Sequence, residues 1–424
     1  MRVLTTADPI GGVASHALEL IEALAPRGVE VALATLGGPM PRALRKQLES
    51  FGNVSLHESS YRLEWMQDPW GDLARAGEWL LELEEGTRPD IVHLNHLVHG
   101  DLPWRAPVLV VGHSCVVSWW HAVHGSPPPE SWSRYRERVA CSLRAADAVA
   151  APTRAMLREL DRHYGPLPPS CVIPNGRSAA RFRPARKEPV ILTAGRLWDE
   201  GKNLAALATA APEVHWPIVA AGSATEPVVT ANTGGDSNAG VEHAETAAAP
   251  AVAARLRAIQ WLGPLDTAEL AGWYARAAIY ALPARYEPFG LTPLEAALSG
   301  CALVLGDIAS LHEVWGDAAR YVTPNDAREL KETLNELASA PADRAAFATR
   351  ALERARTYGP ERMAEAYRAL YDDLKCARPR PVHDEGRHEA HEAHEARHEA
   401  RRGVRAEVPR PEARHSTSRE ERLA

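Results

Sequence analysis

The chain reads as an α/β protein made of two doubly wound parallel sheets, and three observations predict it. Apolar runs of strand length alternate with stretches of helical apolar spacing over most of residues 1–375, the pattern of parallel strands joined by crossover helices. That pattern starts twice with strand, glycine turn and helix. Arg2-Val-Leu-Thr runs into Asp8-Pro-Ile-Gly-Gly12, and Val190-Ile-Leu-Thr-Ala194 runs into Gly195-Arg196. Between the two starts lies a polar, proline-bearing stretch, Arg181-Phe-Arg-Pro184 to Pro189, which reads as a linker.

Taken in order, Arg2-Val-Leu-Thr is a first strand and Val13 to Leu24 a helix with one apolar face. Pro41 to Glu49 is a short basic amphipathic helix carrying Leu44 and Leu48 on one side. Glu30–Ala34, Ile91–Leu94, Pro107–Val111, Ala148–Pro152 and Cys171-Val-Ile continue the strands, with Thr153 as a helix cap. Gly112-His113-Ser114 ends one of them, so His113 falls on the same sheet edge as the Gly11-Gly12 turn. Trp119 and Trp120 follow, and the pattern leaves them open between lining an acceptor cleft and packing under a loop, with packing favoured. His93, His96 and His99 suggest a metal cluster at first sight, but a strand followed by a loop does not align such a spacing on one ion.

After the linker, Trp216–Ala221, Gln260–Gly263, Ala278–Leu282 and Ala302–Leu305 are strands, and Ser310–Val314 is a helix. Gly306 and Asp307 form the turn before it. The segment 222–254, rich in Ala, Thr, Gly and Asn, reads as an insertion. Glu361 to Lys375 is a last helix with Met363, Tyr367, Leu370, Tyr371 and Leu374 on a stripe. Beyond Cys376, His-Glu-Ala units recur among Arg and Glu with almost no large apolar residue, a composition that cannot build a core.

Two turns carry the chemistry. Arg196 leaves a strand end and Lys202 enters the helix that follows, so two cations and free helix N–H groups can converge on a negatively charged group such as a diphosphate. In Glu287-Pro-Phe-Gly-Leu-Thr-Pro-Leu-Glu295, two carboxylates flank a strand-to-helix turn. The backbone of Phe289, Gly290 and Leu291 lies at a helix start there and offers a cradle for hydroxyl or anionic oxygens. Thr292-x-x-Glu295 is also a capping box, so the local pattern leaves Glu295 open between capping and ligand contact.

A net charge of −7 argues against a nucleic-acid partner held by phosphate contacts. Five scattered cysteines without a Cys-x-x-Cys pair suggest neither a disulfide framework nor a cysteine zinc site. With a polar N-terminus and no spanning apolar run, the expectation is a cytoplasmic protein with at most peripheral membrane contact.

Glu-x7-Glu at Glu287 and Glu295, Gly-Arg-Leu…Gly-Lys-Asn-Leu at 195–204, and Val-Ile-Pro-Asn-Gly176 with Arg181-Phe-Arg-Pro184 together resemble the retaining GT-B-type glycosyltransferases. The resemblance is to the family 4-like, or "group 1", enzymes, which include bacterial mannosyl- and glucosyltransferases and sucrose synthases. It covers essentially residues 1–375 and implies two Rossmann-like domains facing each other across a cleft: 1–177 on the acceptor side and 178–356 binding the nucleotide sugar. Residues 357–376 would be a helix crossing back to the first domain, and 377–424 a low-complexity tail.

What the resemblance implies for the site is specific. His113, Glu287, Arg196 and Lys202 would be catalytic. Gly12, Arg196, Lys202 and Leu291 would bind the donor diphosphate; His113, Glu287, Phe289 and Gly290 the donor sugar; and Glu295 the ribose. The substrate would be a UDP- or GDP-sugar, with no resident cofactor. No metal would be needed, since no Asp-x-Asp stands beside a strand and Arg196 and Lys202 would neutralise the leaving group. The acceptor, a carbohydrate, lipid-linked or small-molecule hydroxyl, is not specified. A nucleotide-sugar 2-epimerase and a non-catalytic sugar-nucleotide-binding protein share the architecture. Ala284, where many relatives carry Ser, is a departure.

Overall fold

Every described strand of the protein's two sheets is short and parallel to its neighbours in the computed structural model, which describes residues 1–223 and 258–377. The first half runs β1 (Arg2–Ala7), α1 (Gly11–Leu24), β2 (Glu30–Thr35), α2 (Arg42–Glu49), β3 (Val54–Glu58), α3 (Trp70–Thr87), β4 (Ile91–Leu94) and β5 (Val108–Val111). It continues with α4 (Val116–His124), α5 (Ser133–Ala145), β6 (Ala148–Ala151), α6 (Arg154–Tyr164) and β7 (Ser170–Val172). The second half runs β8 (Glu188–Ala194), α7 (Leu204–Ala210), β9 (Ile218–Ala221), β10 (Ile259–Gly263), α8 (Thr267–Arg276), β11 (Ala277–Leu282) and α9 (Leu291–Leu298). It ends with β12 (Ala302–Gly306), α10 (Ala309–Trp315), β13 (Arg320–Val322), α11 (Ala327–Ser339), α12 (Pro341–Ala355) and α13 (Pro360–Ala377).

Central strands such as β4, β5, β6, β11 and β12 are buried along their whole length, as helices on both faces of a parallel sheet require. β3 instead mixes half-buried and exposed residues, because it is the edge strand beside β2. Its short Val-Ser-Leu-His-Glu run escaped the sequence reading for that reason.

The first sheet has the order β3-β2-β1-β4-β5-β6-β7 and the second β10-β9-β8-β11-β12-β13. In each, strand order reverses beside its first strand, between β1 and β4 and between β8 and β11. Open parallel sheets receive ligands at such reversals, at the carboxyl ends of the strands. The Gly11-Gly12 turn follows β1, Arg196 follows β8 and Glu287 follows β11, so all three lie at these points.

The last helix packs on the first sheet: Met363, Tyr367, Tyr371 and Leu374 are buried in one core with Leu18, Ile21, Ile91 and Leu109. Among the described residues no helix is long and apolar enough to cross a membrane. The basic helix α2 turns Leu48 into that same core, with Leu44 packed against it. The expectations for 224–254 of the insertion and for the tail beyond 377 lie outside the described residues.

Candidate functional site

Two helices begin against each other where the sheets meet. α1 starts at Gly11, and a side chain built on Gly12 would touch Leu291 Cδ1 at 3.9 Å, so the first turn of α1 faces the first turn of α9. Neither helix has a side-chain cap or an acidic residue in its first turn. Both positive dipole ends and their unpaired N–H groups therefore point into one space. Gly290 makes the α9 end possible: as N-cap it has φ 93°, a left-handed conformation that a side chain would strain. Thr292 is thus not the cap, and its hydroxyl instead accepts from Tyr280 at 2.7 Å. With the helix starting at Leu291, Glu295 lies outside capping-box register, and that reading falls.

Lys202 and Glu287 come together beside this space. Nζ of Lys202 is 2.6 Å from Oε2 of Glu287, with side chains 15% and 13% exposed. Their two turns are fastened by backbone: the amides of Arg285 and Tyr286 both donate to Gly201 O, at 2.9 and 3.2 Å. Lys202 sits in a single 3-10 turn, Glu200–Lys202, with Asn203 left-handed between it and α7, rather than in the helix itself. Asn203 anchors that bend by donating to Pro283 O at 2.9 Å. The Glu287 carbonyl accepts from Ser310 Oγ at 2.6 Å.

Arg196 is the more open cation, half exposed, with Nη2 3.6 Å from Asp199. Asp199 caps the 3-10 turn through Gly201 N and accepts the Trp119 indole N–H, each at 2.8 Å. Trp119 is therefore a tie between the two sheets. Phe289 is 2% exposed and meets Tyr358 edge-on at 5.5 Å, so only its backbone is available to a ligand. Ala284 is fully buried, and its carbonyl is so close to Gly306 that a side chain there would clash at 2.2 Å.

His113 belongs to the first sheet, and the loop after it reaches the second. Cys115 N donates to the Tyr286 hydroxyl at 3.1 Å, and Ser118 Oγ lies 2.9 Å from the same oxygen, next to Glu287. Asn95 fixes the imidazole. Its amide nitrogen donates to Thr6 O at 2.7 Å, which turns Oδ1 toward His113 Nε2 at 2.7 Å and His93 Nε2 at 3.2 Å. Both rings then carry the proton on Nε2, and His113 Nδ1 keeps its lone pair. Burial, together with His16, His93 and His96 around it, holds His113 well below the ordinary imidazole range, so it is neutral near pH 7.

The three histidines of the apparent metal motif diverge. His93 Nδ1 lies 2.6 Å from Tyr371 OH, His96 Nε2 2.9 Å from Asp8, and His99 Nε2 3.0 Å from Leu73 O. Among the described residues no three His, Cys, Asp or Glu side chains converge as metal ligands would.

Glu295 is 5% exposed, and its Oε1 lies 2.5 Å from Arg177 Nη2. Arg177 was not singled out in the sequence. An isolated arginine after Pro-Asn-Gly gives no signal of a partner far along the chain.

Known proteins give this geometry its class. The Glycosyltransferase Family 4 model matches residues 10–181, and the Glycosyl transferases group 1 model matches residues 188–340. The chain is a GT-B glycosyltransferase of the family 4-like type. A D-inositol 3-phosphate glycosyltransferase of Catenulispora acidiphila is 27% identical to this glycosyltransferase over 88% of the chain and 93% of the relative. A glycogen synthase of Mycobacterium tuberculosis is 28% identical over 78% of the chain and 84% of the relative. Among solved structures, sucrose-phosphate synthase from Thermosynechococcus elongatus superposes with TM-score 0.72 at 18% identity, covering 89% of this chain and all of that one. HepE of Anabaena in complex with UDP-glucose gives 0.68 at 18% identity, covering 88% of this chain and all of that one. Both show the same fold.

Proposed function

We propose that this glycosyltransferase moves a hexosyl unit from a nucleoside-diphosphate sugar to an acceptor hydroxyl with retention of anomeric configuration and without a metal ion. The observation that carries the donor site is the meeting of two uncapped helix starts, at Gly12 and Leu291, beside Lys202. A diphosphate placed there takes N–H donors from two domains and the charge of Lys202, with Arg196 at the open side. As the bond to the sugar breaks, negative charge grows on the β-phosphate, and these fixed donors stabilise it. The leaving phosphate takes the proton of the acceptor hydroxyl on the same face, which is the route to retention.

Glu287 then binds ring hydroxyls of the sugar and is not a covalent nucleophile, since its carboxylate is held by Lys202. His113 stands on the opposite wall as a neutral ring, next to the sugar. Backbone N–H groups at Phe289, Gly290 and Leu291 complete the sugar and phosphate cradle, and Glu295 holds the ribose hydroxyls. The acceptor is a sugar or cyclitol hydroxyl on the first domain. The names of the relatives, which act on D-inositol 3-phosphate or build glycogen, support that class, and the UDP-glucose complex of a structural neighbour supports a UDP-sugar donor. We place the enzyme in the cytoplasm, where nucleotide sugars are made.

Thermal stabilisation by UDP and GDP, followed by a screen of their sugars for diphosphate release with inositol phosphates and simple sugars as acceptors, tests this reading. Stabilisation by a nucleoside diphosphate and acceptor-dependent release are expected. Stabilisation by neither diphosphate would overturn it.

A further inference from the structure

Glu295 does not stand alone below the donor site. Arg177, in the connector after β7, reaches it with Nη2 and reaches Glu19 of α1 with Nη1, at 2.5 and 2.8 Å. Glu19 Oε1 also lies 3.3 Å from Arg181, and Arg181 pairs with Glu22. A continuous line of charge therefore runs Glu22, Arg181, Glu19, Arg177, Glu295, from the helix of one domain through the connector to the helix of the other.

The inner part of that line is closed to water: Glu19, Arg177 and Glu295 are 1%, 6% and 5% exposed. Buried charges of this kind hold only while each is paired, so moving any one of them moves the rest. Arg177 is itself fixed, with its amide donating to Tyr358 O at 3.0 Å and its guanidinium 5.1 Å over the Phe182 ring. A guanidinium can span two carboxylates from separate helices in one plane, which an ammonium cannot do as well. α1 and α9 are also the two helices whose first turns meet at Gly12 and Leu291.

We propose that Arg177 is a positioning residue: anchored on Glu19, it aims the ribose carboxylate Glu295, so that recognition of the ribose hydroxyls depends on it. The inference rests on the reading of Glu295 as the ribose ligand. It gives the connector a part in donor recognition without any contact to the donor. A purely structural ion pair would lower stability and weaken all nucleotides alike. A positioning pair acts on the hydroxyl-dependent part of affinity.

Calorimetric titration of the full chain with UDP, GDP and their 2′,3′-dideoxy counterparts separates the two. The wild type is expected to bind the ribose form of its preferred diphosphate roughly 10-fold or more tightly than the dideoxy form, the scale of a charge-assisted hydrogen bond. Arg177→Gln should bring that ratio close to one while dideoxy affinity stays within about two-fold of wild type, since no contact to that ligand is lost. Should Arg177→Gln fail to fold, Arg177→Lys keeps the charge without the fork and should still lower the ratio several-fold. A wild-type ratio kept in the variant that folds, or equal weakening of both ligand forms, overturns the positioning role. A ratio of one in the wild type itself overturns the ribose assignment of Glu295, and this inference with it.

Discussion

Lys202 Nζ lies 2.6 Å from Glu287 Oε2, so the cation proposed for the leaving phosphates and the carboxylate proposed for the sugar are each other's partner before any donor arrives. Substitution should separate their roles. Lys202→Met removes charge from the diphosphate site and should weaken nucleoside diphosphate binding and lower kcat by roughly 10²–10³-fold. Glu287→Gln should leave diphosphate affinity nearly unchanged while turnover falls, because its proposed ligand is the sugar ring. Titration with the diphosphate and a turnover assay decide it. Full diphosphate affinity in Lys202→Met contradicts the assignment.

Trp119 donates its indole N–H to Asp199 Oδ1 at 2.8 Å and so ties α4 to the turn that carries Arg196 and Lys202. Trp119→Phe keeps the ring and loses a hydrogen bond to a charged acceptor, worth about 1.5–3 kcal/mol. The donor KM should rise several-fold, with a smaller change in kcat. An unchanged KM would mean that the turn is set without this tie.

Acid should destabilise the folded chain. His16, His93 and His99 are buried, and burial brings them from 6.5 to about 4, about 3 and about 4. Each is neutral when folded and takes up a proton on unfolding, so stability rises with pH between the folded value and 6.5. His113, also lowered, adds to them. Glu64, raised by burial to about 7, and Glu19, also raised by burial, act the other way, since the stability they contribute is lost as pH climbs above the ordinary carboxylate value. The histidines outnumber them, so unfolding free energy should drop from pH 6.5 to 4.5, each histidine contributing about 1.4 kcal/mol per pH unit. Denaturant titrations across that range, with His99→Gln expected to give a shallower slope, check the sign. A flat or inverted profile would contradict the neutral cluster.

Turnover should survive exhaustive dialysis against a chelator if, as proposed, Arg196 and Lys202 carry the charge that a divalent cation would otherwise supply. Activity restored only by magnesium or manganese would refute that.

Much of this was legible in the residues. Most strands, the Gly11-Gly12 turn, and the turns bearing Arg196 and Glu287 follow from local apolar pattern and glycine chemistry, whereas the edge strands β3 and β13 and the order reversals that group these turns are seen only in the folded sheets. What was hidden depends on contacts distant in sequence. Arg177 meets Glu19 and Glu295, Trp119 meets Asp199, and His93 meets Tyr371, pairs that no local window contains. Local pattern also misled at two turns: Lys202 sits in a 3-10 turn before the helix it was expected to enter. Thr292-x-x-Glu295 fits a capping box, yet Gly290 takes the left-handed cap and starts the helix earlier.

Retaining transfer from a nucleotide sugar leaves its mark on the anomeric configuration of the product. The measurement is proton NMR of the purified product from an α-linked UDP- or GDP-sugar and the acceptor that releases diphosphate. An α-linked product formed in step with one nucleoside diphosphate is expected. A β-linked product would contradict retaining transfer, as would conversion of the donor to its 2-epimer without acceptor.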